Sequence, residues 1–365
     1  MRILAVDVGT GTQDILLFDS SGPVENSVKL VMPSATSIAA GRIRRATEQR
    51  RAVLLTGVIQ GGGPCHWALE DHLRAGHAAY ATPAAARTFD DDLSRVEAMG
   101  VRVVSEDEAS RLMDVERIEL RDLDLAAVRT ALAAFDVSGV FDGLALGCLD
   151  HGDSPPDYSD RLFRFDHLRR VVERENDLLA FAYLPPELPE YLTRARTLMS
   201  GAANEAPAAV FLDTGAAAAL GALQDERVAA ADEQLVLNLG NMHALAFHLR
   251  GTHIVSLYEH HTGEMSTGQI EDFTERLIAR TLAHEEVFGS KGHGVFYADG
   301  ASSNGAKPLV AVTGPQRGRL RGSRLDPYFA TPHGDMMISG CFGLVRAFAA
   351  RHPHHAAEIE RTLAG

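Results

Sequence analysis

Apolar residues fall in short dense runs along this chain, and most runs end at a glycine or an aspartate. Residues 3–8 and 14–19 are two such runs, and the Gly- and Thr-rich segment between them predicts a β-hairpin. Residues 27–32 are expected to add a third strand and 36–50 a helix. Residues 52–59, "AVLLTGVI", read as a buried strand running into the loop "QGGGP" (60–64). A helix is expected at about 66–75, with its register set by Trp67, Leu69 and Leu73. Residues 84–135 are expected to be mostly helical apart from a short strand at 101–104. Within them, Asp90, Asp91 and Asp92 suit a helix N-terminus, where the dipole favours anions.

Residues 143–149, "GLALGCL", predict another buried strand, ending at Asp150, His151 and Gly152. Polar, Arg-rich residues follow to about 205, punctuated by prolines, and read as an insertion or a cap. In "AAVFLDTGAAAALGAL" (208–223) a strand runs into Asp213 and then into a helix of small residues. "QLVLNLGNMHALAFHLRG" (234–251) gives two more strands around a glycine turn, 252–258 a third, and about 267–283 helices. Residues 309–313, "LVAVT", are a strand running into Gly314, and 334–352 a closing helix. Strand, glycine loop and helix in this order predict an α/β layered fold.

The opening pattern occurs twice. "LAVDVGTGTQDILLF" (4–18) and "LVLNLGNMHALAFHL" (235–249) align without a gap, placing Asp7 on Asn238, Gly9 on Gly240 and Thr10 on Asn241. Each copy leads into a third strand and then helical segments. Duplication at so long a spacing predicts two similar domains facing one another rather than a solenoid.

Composition narrows the function. A chain of 365 residues exceeds what one core usually serves. Hydrophobic residues at 45% and charged residues at 23% describe an ordinary globular protein. Lys plus Arg number 35 against 49 Asp plus Glu, and the formal charge of −14 opposes nucleic-acid binding. The run Arg42, Arg44, Arg45, Arg50 and Arg51 reads as a solvated helix face. No apolar run approaches the ~20 residues of a membrane helix, and the first residues read as a strand rather than a signal peptide. Cys65, Cys148 and Cys341 form no close pair, which suggests reduced thiols and a cytoplasmic location. The P-loop, H-E-x-x-H and G-x-S-x-G patterns are absent, and Asp14 takes the third glycine position of a G-x-G-x-x-G begun by Gly9 and Gly11. The oligomeric state is not legible.

A tight glycine turn lets backbone N–H groups approach phosphate, because no Cβ intervenes. On that physics Gly9, Thr10, Gly11 and Thr12 cradle one side of a phosphate chain, and Gly240 and Asn241 the other. Asp7 is placed to hold Mg²⁺ through water, since Mg²⁺ keeps much of its hydration shell. Gln13 and Asp14 are candidates to position a water or support the metal. A purely structural hairpin is the competing reading, and the second hairpin weighs against it. Asp150 lies at the end of an apolar strand and is a candidate catalytic carboxylate, and Asp213 either caps its helix or serves the same role. His151 and, in the C-terminal half, His243, His260, His261, His293 and His333 sit in or beside turns, with Glu259, Glu264 and Asp335 near in sequence. They can bind Zn²⁺, Mn²⁺ or Fe²⁺, grip an anionic substrate, or serve as separate polar cleft residues.

The order of these features resembles the superfamily of actin, sugar kinases and heat-shock chaperone ATPases. "DVGTGTQD" is similar to the chaperone hairpin "DLGGGTFD", and "FLDTGAAAALGAL" to the interdomain strand and helix of hexokinases and repressor-type sugar kinases. "VTGPQRG" (312–318), which holds Gly314, sits where that superfamily places its adenosine loop. The resemblance implies two duplicated ribonuclease H-like (actin-like ATPase) domains around an interdomain cleft. The first would span 1–212, with a helical insertion at about 84–135 and a cap or insertion at about 151–205. The second would span 213–333, with 334–365 returning to the first. It implies ATP and Mg²⁺ as ligands, Asp213 in the position of a hexokinase base, and γ-phosphoryl transfer to an unknown small molecule. A slow ATPase that gates a partner protein is the alternative, because Asn238 stands where many members carry a second aspartate. A metal-dependent enzyme using the histidines is the third reading. "DHG", "EHHTG", "GHG" and "PHGDMM" resemble more closely an uncharacterised family often labelled "putative pyruvate formate-lyase activating enzyme". A radical-SAM activase needs clustered cysteines, which this chain lacks.

Overall fold

The computed structural model describes residues 1–298 and 307–365. β1 (Arg2–Val8) and β2 (Thr12–Asp19) form the expected hairpin, and β3 (Val28–Pro33) pairs antiparallel with β2. The chain then leaves this sheet. β4 (Ala52–Gly57), β5 (Ala79–Ala81), β6 (Val101–Val103) and β7 (Val115–Leu120) make a separate parallel sheet in the order β6-β5-β4-β7. β8 (Gly143–Cys148), β9 (Ala182–Tyr183) and β10 (Ala208–Asp213) return to complete the first sheet, β3-β2-β1-β8-β10-β9. β11 (Gln234–Leu239), β12 (His243–Arg250), β13 (His253–His261), β14 (Gly294–Tyr297), β15 (Leu309–Thr313) and β16 (Tyr328–Phe329) form the third sheet, β14-β13-β12-β11-β15-β16.

The two six-stranded sheets share one internal pattern. β1 pairs antiparallel with β2 and parallel with β8, and β11 pairs antiparallel with β12 and parallel with β15. The register agrees as well: Asp7 lies opposite Asp14, and the aligned Asn238 lies opposite Leu245. The sequence repeat is therefore also a repeat in hydrogen bonding. β8, in the middle of its sheet, is buried at every position, as a strand covered on both faces must be.

One apolar cluster joins both large sheets. It runs from Ile3, Leu16 and Phe18 through helix Thr214–Ala222 and helix Ser339–Arg351 to Val236, Leu245 and Phe247. These helices cross closely. A Cβ on Gly221 would stand 1.7 Å from the Ser339 carbonyl oxygen, and one on Gly343 2.0 Å from that of Ala217. The small-residue composition of Thr214–Ala222 is what permits this crossing. The other face of the first sheet is covered by helices Leu125–Ala133 and Thr193–Gly201.

Three expectations are corrected. Residues 84–135 are less helical than expected: besides the expected strand, β6, they contain β7, and both belong to the small sheet, which has its own core around Ile43, Val53, Leu69 and Ile118. The Arg-rich segment after His151 is more than a cap. Parallel β8 and β10 require a crossover, and helix Thr193–Gly201 supplies it, while helix Asp160–Arg174 packs Phe165 and Leu168 into the main cluster. Helix Pro64–Arg74 buries Cys65, Ala68, Leu69 and His72, so Trp67 faces outward and is 49% exposed. The arginines at 42, 44, 45, 50 and 51 are exposed, as a solvated face requires. Among the described residues no helix is long and apolar enough to cross a membrane.

Candidate functional site

The two hairpin turns meet. Each is closed by the same bond, Gly9 N–H to the Thr12 carbonyl and Gly240 N–H to the His243 carbonyl, both at 2.9 Å. A Cβ on Gly11 would stand 2.2 Å from Asn241 Nδ2, so the Asn241 side chain reaches across against the first turn. The Thr10 carbonyl accepts the Ser34 hydroxyl at 2.5 Å, which fixes the first turn on the start of helix Ala35–Glu48. Among the described residues no hydrogen bond uses the N–H of Thr10, Gly11 or Asn241. Gly314, at φ +92°, brings its backbone against Asn238, and a Cβ there would lie 2.6 Å from Asn238 Oδ1. Gly9, Thr10, Thr12, Gly240, Asn241 and Gly314 thus share one small pocket of about 90 Å³.

Asp7 and Asp14 form the floor of this pocket. Thr214 Oγ1 donates to Asp7 Oδ1 at 2.5 Å, and a Cβ on Gly340 would stand 2.0 Å from Asp7 Oδ2. Burial raises the Asp7 carboxyl to about 6, with Asp213 adding to the shift. Asp14 is raised to about 7 by burial and by Asp7, and its Oδ1 is buried with no partner. Gln13 does not join them. Adjacent strand residues point to opposite faces, and its amide donates to the Pro33 carbonyl at 3.0 Å. Asp335 Oδ1 accepts the Met337 N–H at 3.0 Å, in a segment whose Met336 and Met337 line the same pocket.

A cleft of about 690 Å³ opens beside the turns, where the carboxyl ends of β1, β4, β8 and β11 converge. The Gly61–Gly63 loop forms one wall and the segment from Asp150 to Pro156 another. Arg194 lines it, held by Asp122 at 2.7 Å and 3.0 Å and by the Leu149 carbonyl at 2.7 Å. Asp150 lines it too, with its oxygens accepting the N–H groups of Gly152 (2.8 Å) and Ala195 (2.9 Å), and burial raises its carboxyl. Sequence reasoning missed Asp91. Within the three-Asp run only Asp92 caps the helix, through Ser94 N–H, whereas Asp91 faces the cleft and is raised to about 7 by burial and by Asp153. A run in which one carboxylate suffices for the cap was the available signal.

Asp213 is not among the residues lining either pocket. It caps helix Thr214–Ala222 through Gly215 N–H at 2.9 Å, and Arg164 grips both its oxygens at 2.5 Å and 3.1 Å. Arg164 Nε also bonds Glu259 at 3.2 Å, and all three charges are buried. The cap reading of Asp213 is borne out, and its partnership with Arg164 leaves neither oxygen free. Arg164 lies in the segment read only as polar insertion, so nothing in the sequence announced it.

The histidines separate into those that converge and those that do not. His151, His243 and His293 each bring a ring nitrogen within 4.8 Å of the other two. The Nε2 atoms of His151 and His293 are 3.3 Å apart. The His261 ring centre lies 4.8 Å from that of His243 and 4.7 Å from that of His293. Burial depresses all four, His151 to about 3, so the neutral ring is the stable form. His260 points to the other face of β13, where Nε2 meets Ser290 Oγ at 3.2 Å. His333 packs edge-on against Phe342, away from the group.

Comparison with known proteins gives the following. No protein of curated function matches the sequence. Solved structures similar to this chain include "Lmo2764 protein, a putative N-acetylmannosamine kinase, from Listeria monocytogenes". It is 10% identical, with 96% of this chain and 99% of that chain covered, at a TM-score of 0.36. A ROK hexokinase from Thermus thermophilus is 11% identical, with 97% and 100% covered, at a TM-score of 0.30. Residues 60–319 match the family described as "Putative pyruvate format-lyase activating enzyme (DUF1786)", and the chain belongs to that family.

Proposed function

We propose that this protein binds ATP between its two hairpins and transfers the γ-phosphoryl group to a small molecule held in the adjoining cleft. The observation that carries this reading is the meeting of two equivalent glycine turns over a buried carboxylate pair. The shared pairing pattern of the two large sheets supports duplicated ribonuclease H-like, actin-like domains. The first would extend to residue 212 and carry the small parallel sheet, the second would span 213–333, and 334–365 would return to the first.

The residues present fit the ligands. The turn amides of Thr10, Gly11 and Asn241 are available to phosphate oxygens, and no side chain stands at Gly9 or Gly240 to obstruct them. Asp7 and the unpartnered Asp14 Oδ1 would hold Mg²⁺, which when bound supplies positive charge against the phosphate oxygens. Thr214 orients Asp7 through its hydroxyl. Arg194, fixed by Asp122, presents positive charge to the cleft. Proton acceptance from the attacking hydroxyl falls to a cleft carboxylate, Asp150 or Asp91. Asp91 has the better-matched acidity, about 7, close to an ordinary operating pH. An iron–sulfur activase is not supported, because Cys65, Cys148 and Cys341 are buried in three different apolar clusters and cannot ligate one centre.

Calorimetric titration of ATP and ADP, with and without Mg²⁺, into wild type and Asp7→Ala tests the proposal. Mg²⁺-dependent binding that is lost in Asp7→Ala supports it. Absence of nucleotide binding in the wild type, or affinity unchanged in the variant, overturns it.

A further inference from the structure

We infer that His151, His243 and His293 form a site for one first-row transition-metal ion of the Zn²⁺ and Fe²⁺ class, open to the cleft and built from both large sheets. His151 follows β8 of the first sheet, His243 begins β12, and His293 precedes β14 of the other sheet. Their ligand atoms already lie within 4.8 Å of one another. Two nitrogens bound to one tetrahedral ion stand about 3.4 Å apart, given metal–nitrogen bonds of about 2.0–2.1 Å. The His151 and His293 Nε2 atoms are 3.3 Å apart.

A second observation points to a missing partner. His243 Nε2 is a buried ring nitrogen with no hydrogen bond. Buried polar atoms are ordinarily satisfied, and a metal ion held with His151 and His293 would satisfy this one. Imidazole also binds metal in its neutral form, which burial favours here. His261 adds a fourth ring beside His243 and His293.

The arrangement is that of a reactive rather than a closed structural site. His151, His243 and His261 line the cleft, and His293 lies behind them, fully buried. Three imidazoles leave a coordination position free on the cleft side, which suits an oxygen donor such as water or a hydroxyl or carboxylate of the bound small molecule. An all-imidazole donor set suits Zn²⁺, Fe²⁺, Co²⁺, Ni²⁺ or Cu²⁺ and not Mg²⁺, which belongs with the carboxylates of the hairpin pocket. The site does not depend on the nucleotide reading, since its ligands lie outside that pocket.

The test is metal analysis of the full chain, purified without a polyhistidine tag or chelator, followed by titration of the stripped protein with Zn²⁺ or Co²⁺ alone. About one ion per chain, with the visible bands of tetrahedral Co²⁺, is expected. His243→Ala and the more conservative His243→Gln should each weaken Co²⁺ binding at least tenfold while retaining the wild-type circular dichroism spectrum. His260→Ala, on the other face of β13, should bind as wild type does. No binding of Zn²⁺ or Co²⁺ at micromolar concentration by folded wild type, or equal affinity in a folded His243→Gln, overturns the inference.

Discussion

Asp7 and Asp14 face each other directly across the first hairpin, on one face of one sheet. Like charges in that position repel, and both groups are raised by burial. Asp14→Asn is therefore expected to stabilise the chelator-treated protein at pH 8 by about 1 kcal/mol. The same change should weaken Mg²⁺-dependent ATP binding about tenfold, near the ~1.4 kcal/mol of one lost favourable contact. Thermal melts in EDTA and calorimetry with Mg²⁺ check the two halves. A variant no more stable than wild type in EDTA would show that the pair is not strained.

Asp91 holds its proton to about pH 7 in the folded chain, against a value near 3.8 for an unperturbed aspartate. Between those values the folded state binds more protons than the unfolded state, so this group's contribution to stability falls as pH rises and levels off above about 7. Asp91→Asn removes that fall. Urea unfolding at pH 5, 6.5 and 8 should show the variant gaining on wild type as pH increases. Parallel profiles would mean that Asp91 titrates normally.

Arg164 supplies the positive charge for Asp213 and Glu259, both buried. Arg164→Met leaves two buried carboxylates without their cationic partner, and a loss of about 3–5 kcal/mol is expected. Adding Glu259→Gln to that variant should recover part of the loss. Denaturant midpoints of the single and double variants measure this, and an Arg164→Met midpoint equal to wild type would remove the bridge as a source of stability.

The glycines divide by surroundings. A Cβ on Gly343 would stand 2.0 Å from the Ala217 carbonyl oxygen, whereas one on Gly41 meets nothing within 4 Å. Gly343→Ala should cost about 1–3 kcal/mol by forcing the helices apart. Gly41→Ala, in the interior of helix Ala35–Glu48, should gain about 0.4–1 kcal/mol. Two melting curves decide the matter, and a neutral Gly343→Ala would show that the crossing can yield.

The hairpins were legible because strand alternation and turn chemistry agree over a few residues, and their repetition raised a weak local pattern to a global one. The small parallel sheet was legible only in part. β4 and β6 were read as strands, at 52–59 and 101–104, but β5, "AYA", is too short for a period to register, and β7, "VERIEL", is half polar. Its position is set by tertiary packing rather than local preference. Trp67 misled for a related reason: a large apolar side chain suggests a buried face, but Cys65, Leu69 and His72 hold it instead. The histidines could be named but not grouped, since His151 comes from a different sheet and His260 differs from His261 only by the parity of a strand. The double grip of Arg164 on Asp213 and Glu259 joins three distant segments, and no local pattern contains it.

Gly340 rests against Asp7, although the two lie near opposite ends of the sequence. At about 5–20 residues per second, a ribosome makes Gly340 roughly 20–70 seconds after Asp7. The first hairpin therefore emerges long before the helix that seals it. Until that helix arrives, the apolar face formed by Ile3, Leu16 and Phe18 stays uncovered and Asp7 remains in water. The growing chain can fold its small parallel sheet early, but the pocket between its hairpins matures only when synthesis has passed that helix. A stalled or prematurely terminated chain would expose a sticky sheet and lack the sealed hairpin pocket, which marks it for chaperones or proteases rather than for use.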